Sequence, residues 1–361
     1  MADQAAIATP EPVLGEKAGS AGLIRLNRPK ALNSLNLPMV RLMQGLLDDY
    51  AADASVGSVI VSGEGERGLC AGGDIRAMHD SGRADGQEAK DFWREEFRMN
   101  HFIAHYPKPY VAIMDGIVMG GGAGISVHGS HRIVTERTRL AMPETGIGYF
   151  PDVGASWFLP RLSGRVGYWM GLTGHEIGAA DALASGLADY CVPSAMLPRL
   201  TEALFAIPAS AGTGDVGSVI ERFSLTPPTG PLAANRDQID RIFALQTVEE
   251  IVAALTREDD DFARETLGLI AKRSPRSLKL SLRLLQLGEA SGSLAECLER
   301  EYAAGIGMLS NPDFYEGVRA AVIDKDRNPK WNPATLAGVS EDDLAPFFPK
   351  GHPPVFPEHR L

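Results

Sequence analysis

Cysteine is scarce in this chain of 361 residues: Cys70, Cys191 and Cys297 are odd in number and widely spaced. They build neither a disulfide framework nor a four-cysteine zinc site. No apolar run approaches the roughly 20 residues needed to cross a bilayer. The segment from Met1 to Lys17 has early acidic groups and no apolar stretch, so it reads neither as a secretory signal nor as an arginine-rich transit peptide. A cytoplasmic location, in a prokaryote, is expected. Positive charge is in deficit, with 35 Lys and Arg against 46 Asp and Glu and a formal charge of -11. This argues against nucleic acid or an anionic membrane as partner. An acidic protein still binds an anionic ligand where its basic groups are concentrated.

What remains is a 44% hydrophobic, 22% charged chain, enough for a substantial core. Its length suggests one large domain with an appendage. Ala21–Leu26 reads as a strand ending in the turn-forming run Asn27-Arg28-Pro29-Lys30. Val40, Leu42, Met43, Leu46 and Leu47 recur at helical spacing between Leu37 and Tyr50. Ser58–Ser62 and Tyr110–Met114 are short apolar strands. A long helix lies between them, over Gln87 to His105, and is stopped by Pro107 and Pro109. Arg132–Thr135 and Leu187–Val192 are further strands, and short helices begin near Asp152 and Gly164. This alternation predicts an α/β fold with parallel pairing. No internal repeat is visible. Beyond Pro208 the patterns turn helical, with Leu278, Leu282, Leu285 and Leu287 on one face. The expected division is therefore an α/β core over 1–208 and a helical C-terminal region with its tail over 209–361. The tail from Pro333 to Leu361 reads as extended and surface-packed, or partly disordered.

Two glycine-rich turns follow buried strands, at Gly72-Gly73 and at Gly120–Gly124. Glycine permits close backbone approach, and exposed amides at a helix start bind negative charge. A pair aimed at one oxygen would stabilise a thioester enolate or tetrahedral oxyanion; two ordinary tight turns are the plainer alternative. Other ligand motifs fit less well. Ile125 stands where a dinucleotide fingerprint needs its third glycine, and no Gly-Lys-Ser/Thr makes a P-loop. Gly124-Ile125-Ser126-Val127-His128 misses the last glycine of a nucleophile elbow. His101 and His105 share a helix face but have no acidic third ligand, and are read as structural. Cys70 has no base beside it and reads as a small buried residue.

Leu26-Asn27-Arg28-Pro29-Lys30-Ala31-Leu32-Asn33, Gly68-Leu69-Cys70-Ala71-Gly72-Gly73-Asp74-Ile75 and Met119–Gly124 resemble the three signatures of the enoyl-CoA hydratase/isomerase (crotonase) superfamily. Phe92-Trp93-Arg94-Glu95-Glu96-Phe97, Ala141–Gly148, Phe150–Gly154 and Asp313–Ala320 resemble its 3-hydroxyisobutyryl-CoA hydrolase branch. The resemblance implies a crotonase-like ββα superhelix core with a helical C-terminal region. It implies hydrolysis of a short 3-hydroxyacyl-CoA thioester in valine breakdown, an enoyl-CoA hydratase or isomerase and a non-catalytic acyl-CoA-binding protein being the alternatives. By it, the amides of Gly73 and Gly121 form an oxyanion hole, and Glu96, Gly121, Glu144 and Asp152 meet the substrate. Glu144 would attack the carbonyl or activate a water, and Asp152 would hold the substrate hydroxyl or orient that water. Gly124 stands where hydratases carry one of two glutamates.

Each carboxylate also has a plainer reading: Asp152 as a helix N-cap, Glu96 as part of a solvated face, Glu144 as a helix-start acid. Arg28 and Lys30 are candidates for the phosphate or adenine side of coenzyme A, with Ala31, Ala71, Gly72, Asp74 and Ile75 lining the groove. No metal or redox cofactor is expected, coenzyme A being part of the substrate. The resemblance is compatible with a homo-oligomer.

Overall fold

A computed structural model describes residues 11–349 and 351–357. Its strands are β1 (Val13–Ala18), β2 (Ala21–Leu26), β3 (Ser58–Gly63), β4 (Gly68–Cys70), β5 (Tyr110–Met114), β6 (Ile117–Met119), β7 (His131–Val134), β8 (Arg139–Ala141) and β9 (Tyr190–Cys191). They form a larger sheet in the order β1-β2-β3-β5-β7-β9 and a smaller one in the order β4-β6-β8. β1 and β2 pair antiparallel; every other pairing is parallel.

The central parallel strands of the larger sheet, β2, β3 and β5, are buried on both faces, as parallel sheets are. Side chains alternate along each strand. Val59, Val61, Tyr110 and Ala112 face the main core, while Ile60, Val111 and Ile113 face a second one. Leu200 and Leu204 from the helix Leu197–Phe205, with Val216 and Ile220 from Thr213–Glu221, cover that second face.

Strands of the two sheets alternate in the chain: β3 then β4, β5 then β6, β7 then β8, with helices between successive pairs. A ββα repeat therefore exists although no sequence repeat announces it. Elements, not residues, recur. The structure also adds β1, β4, β6 and β8 to the strands expected from sequence. Three of these are only three residues long, too short for periodicity to register.

Beyond Cys191 the described elements are helical. Local chemistry sets their starts: Thr247 and Glu250 form a capping box, and Asp260, Ser274 and Ser293 each accept a hydrogen bond from the first turn. The main core runs from Val13 to Phe356, so the helical region completes the core that the strands begin. The tail is not simply extended. It contains the short helix Glu341–Leu344 and buries Phe347, Val355 and Phe356. Residues 1–10, 350 and 358–361 lie outside the described residues, and with them parts of the expected leaderless start and of the tail.

Candidate active site

The small sheet positions the site. Each of its parallel strands ends in a segment that reaches one cavity, at the carboxyl edge where α/β proteins bind ligands. β4 runs into Ala71-Gly72-Gly73, β6 into Gly120-Gly121, and β8 into Pro143-Glu144. The cavity measures about 580 Å³.

The backbone at the two glycine turns leaves donors free. Leu35 and Gly73 form a parallel bridge, closed by Leu35 N–H to Gly72 O (2.8 Å) and Asp74 N–H to Leu35 O (2.7 Å). Gly73's own N–H takes no part in that bridge. Gly121 begins the helix Gly121–Gly124, so its N–H has no partner within the helix. The turns touch: a methyl group at Gly121 would lie 3.4 Å from the Gly72 carbonyl carbon. The same methyl would come within 2.7 Å of Glu96 Oε1, and one at Gly120 within 2.7 Å of Glu144 Oε1. Glycine at these positions lets two carboxylates approach the backbone.

Glu96, Glu144 and Asp152 are 2%, 8% and 7% exposed and all line the cavity. Glu96 Oε1 and Glu144 Oε2 have no hydrogen-bond partner within the protein, which is costly unless a ligand, water or proton supplies one. Burial pushes the Glu144 carboxyl well above the usual range, and Asp152 adds to it. Burial does the same to Glu96, reinforced by Asp152 and Glu144. Asp152 is pushed up to about 8, by burial first and then by the buried Glu301. The Tyr149 hydroxyl feels Asp152 but makes no aligned hydrogen bond.

These placements decide between alternatives. Glu96 is not on a solvated face; its neighbour Glu95 is, paired with Arg41 at 2.7 Å. Asp152 is not the N-cap of the helix Ala155–Phe158, whose cap residue is Gly154. Glu144 begins a 3-10 turn, Glu144–Ile147, yet its side chain is buried in the cavity wall. The Ser126 hydroxyl is buried and donates to Gly122 O at 2.7 Å, so the elbow-like segment offers no exposed nucleophile. Burial pushes the Cys70 thiol up to about 12. The His101 and His105 rings lie against each other, tilted by 33°, with centroids 4.3 Å apart. No metal-binding group of three or more His, Cys, Asp or Glu occurs among the described residues.

Lys30, Ala31, Ala71, Gly72, Gly73, Asp74, Ile75 and Gly121 all line the cavity. Arg28 does not. Its guanidinium is spent on Asp74 (3.1 Å) and the Ser34 carbonyl (2.7 Å), so it braces the loop that carries Lys30. Asp74 in turn caps the helix Ile75–Arg83 through Ala77 N–H. Sequence reasoning missed Arg67, Arg76 and Lys325, which with Lys30 gather four cations along the cavity. It also missed the aromatic wall of Phe92, Trp93, Tyr149 and Phe314, in which Tyr149 stacks on Trp93 at 5.8 Å. Three of those four rings lie in segments that carried the resemblance. Position 124 is closed: a methyl group there would sit 2.6 Å from Val153 Cβ and 3.0 Å from Asn100 Nδ2.

The chain belongs to the enoyl-CoA hydratase/isomerase family, whose sequence profile matches residues 21–348. Within it, the chain is 44% identical over 336 residues to the mitochondrial 3-hydroxyisobutyryl-CoA hydrolase of Xenopus tropicalis, covering 92% of this chain and 87% of that one. It is 43% identical over 343 residues to the Homo sapiens protein of the same name, covering 94% and 88%. Among solved structures, one named a carnitinyl-CoA dehydratase from Mycobacterium thermoresistibile superposes with a TM-score of 0.91 at 43% identity, over 97% of this chain and 100% of that one. One named an enoyl-CoA hydratase from Rhodobacter sphaeroides gives 0.86 at 40%, over 94% and 97%.

Proposed function

We propose that this protein hydrolyses the thioester of 3-hydroxyisobutyryl-CoA, or a close short-chain 3-hydroxyacyl-CoA, to the free acid and coenzyme A. The carrying observation is three buried carboxyl groups converging beside two free backbone amides, with no space for a second hydratase glutamate at Gly124. The names of the relatives at 43–44% identity support the same reading.

The thioester oxygen lies between the amides of Gly73 and Gly121, which stabilise the oxyanion; one such donor is worth about two to three orders of magnitude in rate. Glu144 acts on the carbonyl carbon, either directly to give a mixed anhydride that water then opens, or through a water it deprotonates. The C–S bond breaks and the thiolate takes up the proton. A carboxyl group whose ionisation burial shifts upward is suited to such proton transfer. Asp152 and Glu96 hold the substrate's 3-hydroxyl and the water. Lys30, Arg67, Arg76 and Lys325 concentrate positive charge for the anionic coenzyme A, which enters as part of the substrate. No metal or redox group is invoked. Valine breakdown, the cytoplasm of a prokaryote and assembly as a homo-oligomer complete the proposal; no described helix is long and apolar enough to cross a membrane.

Purified protein given 3-hydroxyisobutyryl-CoA and, separately, crotonyl-CoA tests it, with free thiol and the enoyl chromophore followed together. Thiol release that Glu144→Ala abolishes is the expected result. Loss of the enoyl signal without thiol release would replace hydrolysis by hydration, and tight binding with neither signal would leave a binding protein.

A further inference from the structure

The turn that delivers Asp152 is strained. Val153 has φ +53, a left-handed conformation that β-branched residues rarely adopt, and such conformations persist only when their surroundings over-determine them. Two groups outside the cavity do so here. His128 Nε2 lies 2.8 Å from the Val153 carbonyl oxygen. A carbonyl only accepts, so this nitrogen carries the hydrogen, and burial holds the ring's basicity down to about 4.

The second clamp is Glu301, fully buried on the helix Leu294–Met308. Its carboxylate accepts from Gly154 N–H at 2.7 Å, Ser156 N–H at 2.9 Å and the Ser156 hydroxyl at 2.5 Å. A lone buried carboxylate is costly, and three donors aimed at one repay that cost only where their placement is fixed. Glu301 does not line the cavity. Among the described residues its hydrogen bonds all go to the segment that follows Asp152. The C-terminal helical region thus reaches the site through a backbone turn.

We propose that Glu301 is a positioning residue for the reaction: by fixing the Val153–Ser156 backbone it keeps the Asp152 carboxyl facing the cavity. The inference rests on the hydrolase reading for its kinetic readout. Merely capping the helix Ala155–Phe158 would be a structural role, and a double-mutant cycle separates the two.

Thiol release is measured for the wild type, Glu301→Gln, Asp152→Asn and the double variant. Glu301→Gln is expected to lower kcat about tenfold to a hundredfold with KM changed less than about twofold, and to change kcat less than about twofold once Asp152 is already Asn. Equal losses in both backgrounds, or an unchanged kcat in folded Glu301→Gln, would overturn the proposal. Ser156→Ala removes only the hydroxyl contact and serves the same cycle if Glu301→Gln does not fold. If the wild type releases no thiol, the hydrolase reading falls by itself, and crystal structures of the wild type and Ser156→Ala or Glu301→Gln decide the positioning claim. An Asp152 carboxyl turned from the cavity supports it; an unmoved one ends it.

Discussion

Glu96, Glu144 and Asp152 are removed from water, and each keeps its proton to higher pH than a solvated acid does. The consequence for stability has a definite sign. Asp152 is raised to about 8 in the folded protein, against about 4 in an unfolded chain. Between those values the native state binds more protons than the unfolded one, so stability falls as pH rises. The contribution is fully present below about pH 4 and lost as pH passes through about 8. Asp152→Asn has no such group to ionise. Its melting temperature should drop less than that of the wild type between pH 5 and pH 9, leaving the variant several degrees ahead at the alkaline end; parallel melting curves would contradict this. Catalytic groups held at a cost to stability are the usual trade in active sites. The identities of all three acids were readable from motifs, but their protonation was not, because it depends on which atoms exclude water.

At the scale of elements, the helix Gln87–Ala104 shows how legible a site residue was. Ala89, Phe92, Trp93, Glu96, Phe97, Met99, Asn100 and Ile103 are its buried positions, a broad stripe at helical spacing. Glu96 is buried among them while Glu95 pairs with Arg41 at the surface. Periodicity did not separate the two acids, which read together as a solvated face, and only the resemblance pointed to Glu96. β4, β6 and β8 were less legible: their three-residue length leaves no pattern to read, and pairing with one another is what defines them. Position 124 belongs to this scale because two elements meet there. A side chain on the helix Gly121–Gly124 runs into Val153 on the Asp152 turn. Gly124→Glu should therefore give no enoyl hydration and destabilise the protein by about 1–3 kcal/mol, the usual range for overpacking. Urea denaturation beside a crotonyl-CoA assay checks both halves.

For the whole molecule, charge distribution matters more than its sum. The chain carries -11 overall, yet Lys30, Arg67, Arg76 and Lys325 line one cavity. They come from three separate stretches of the chain, with Lys325 following the helix Pro312–Val318. Lys325→Ala is expected to raise KM about two- to tenfold with kcat little changed, an effect that shrinks as salt is added. A fall in kcat at constant KM would place Lys325 in the chemistry instead. The core is shared in the same way: strands from the first half and helices from the second bury one continuous set of apolar side chains.

The sequence by itself determined the strand and helix periodicities, the two glycine turns, the identities of the acids and the family those motifs define. These are local properties, set by a few neighbouring residues. Only the tertiary structure decided that Arg28 is spent on Asp74, that Glu96 and Glu144 lie against Gly121 and Gly120, and that position 124 is closed by Val153. It also decided that Glu301 reaches back across the chain to the turn after Asp152. Each is a meeting of segments distant in sequence, and such meetings depend on how the two sheets and the helices stack, for which no local pattern is a substitute.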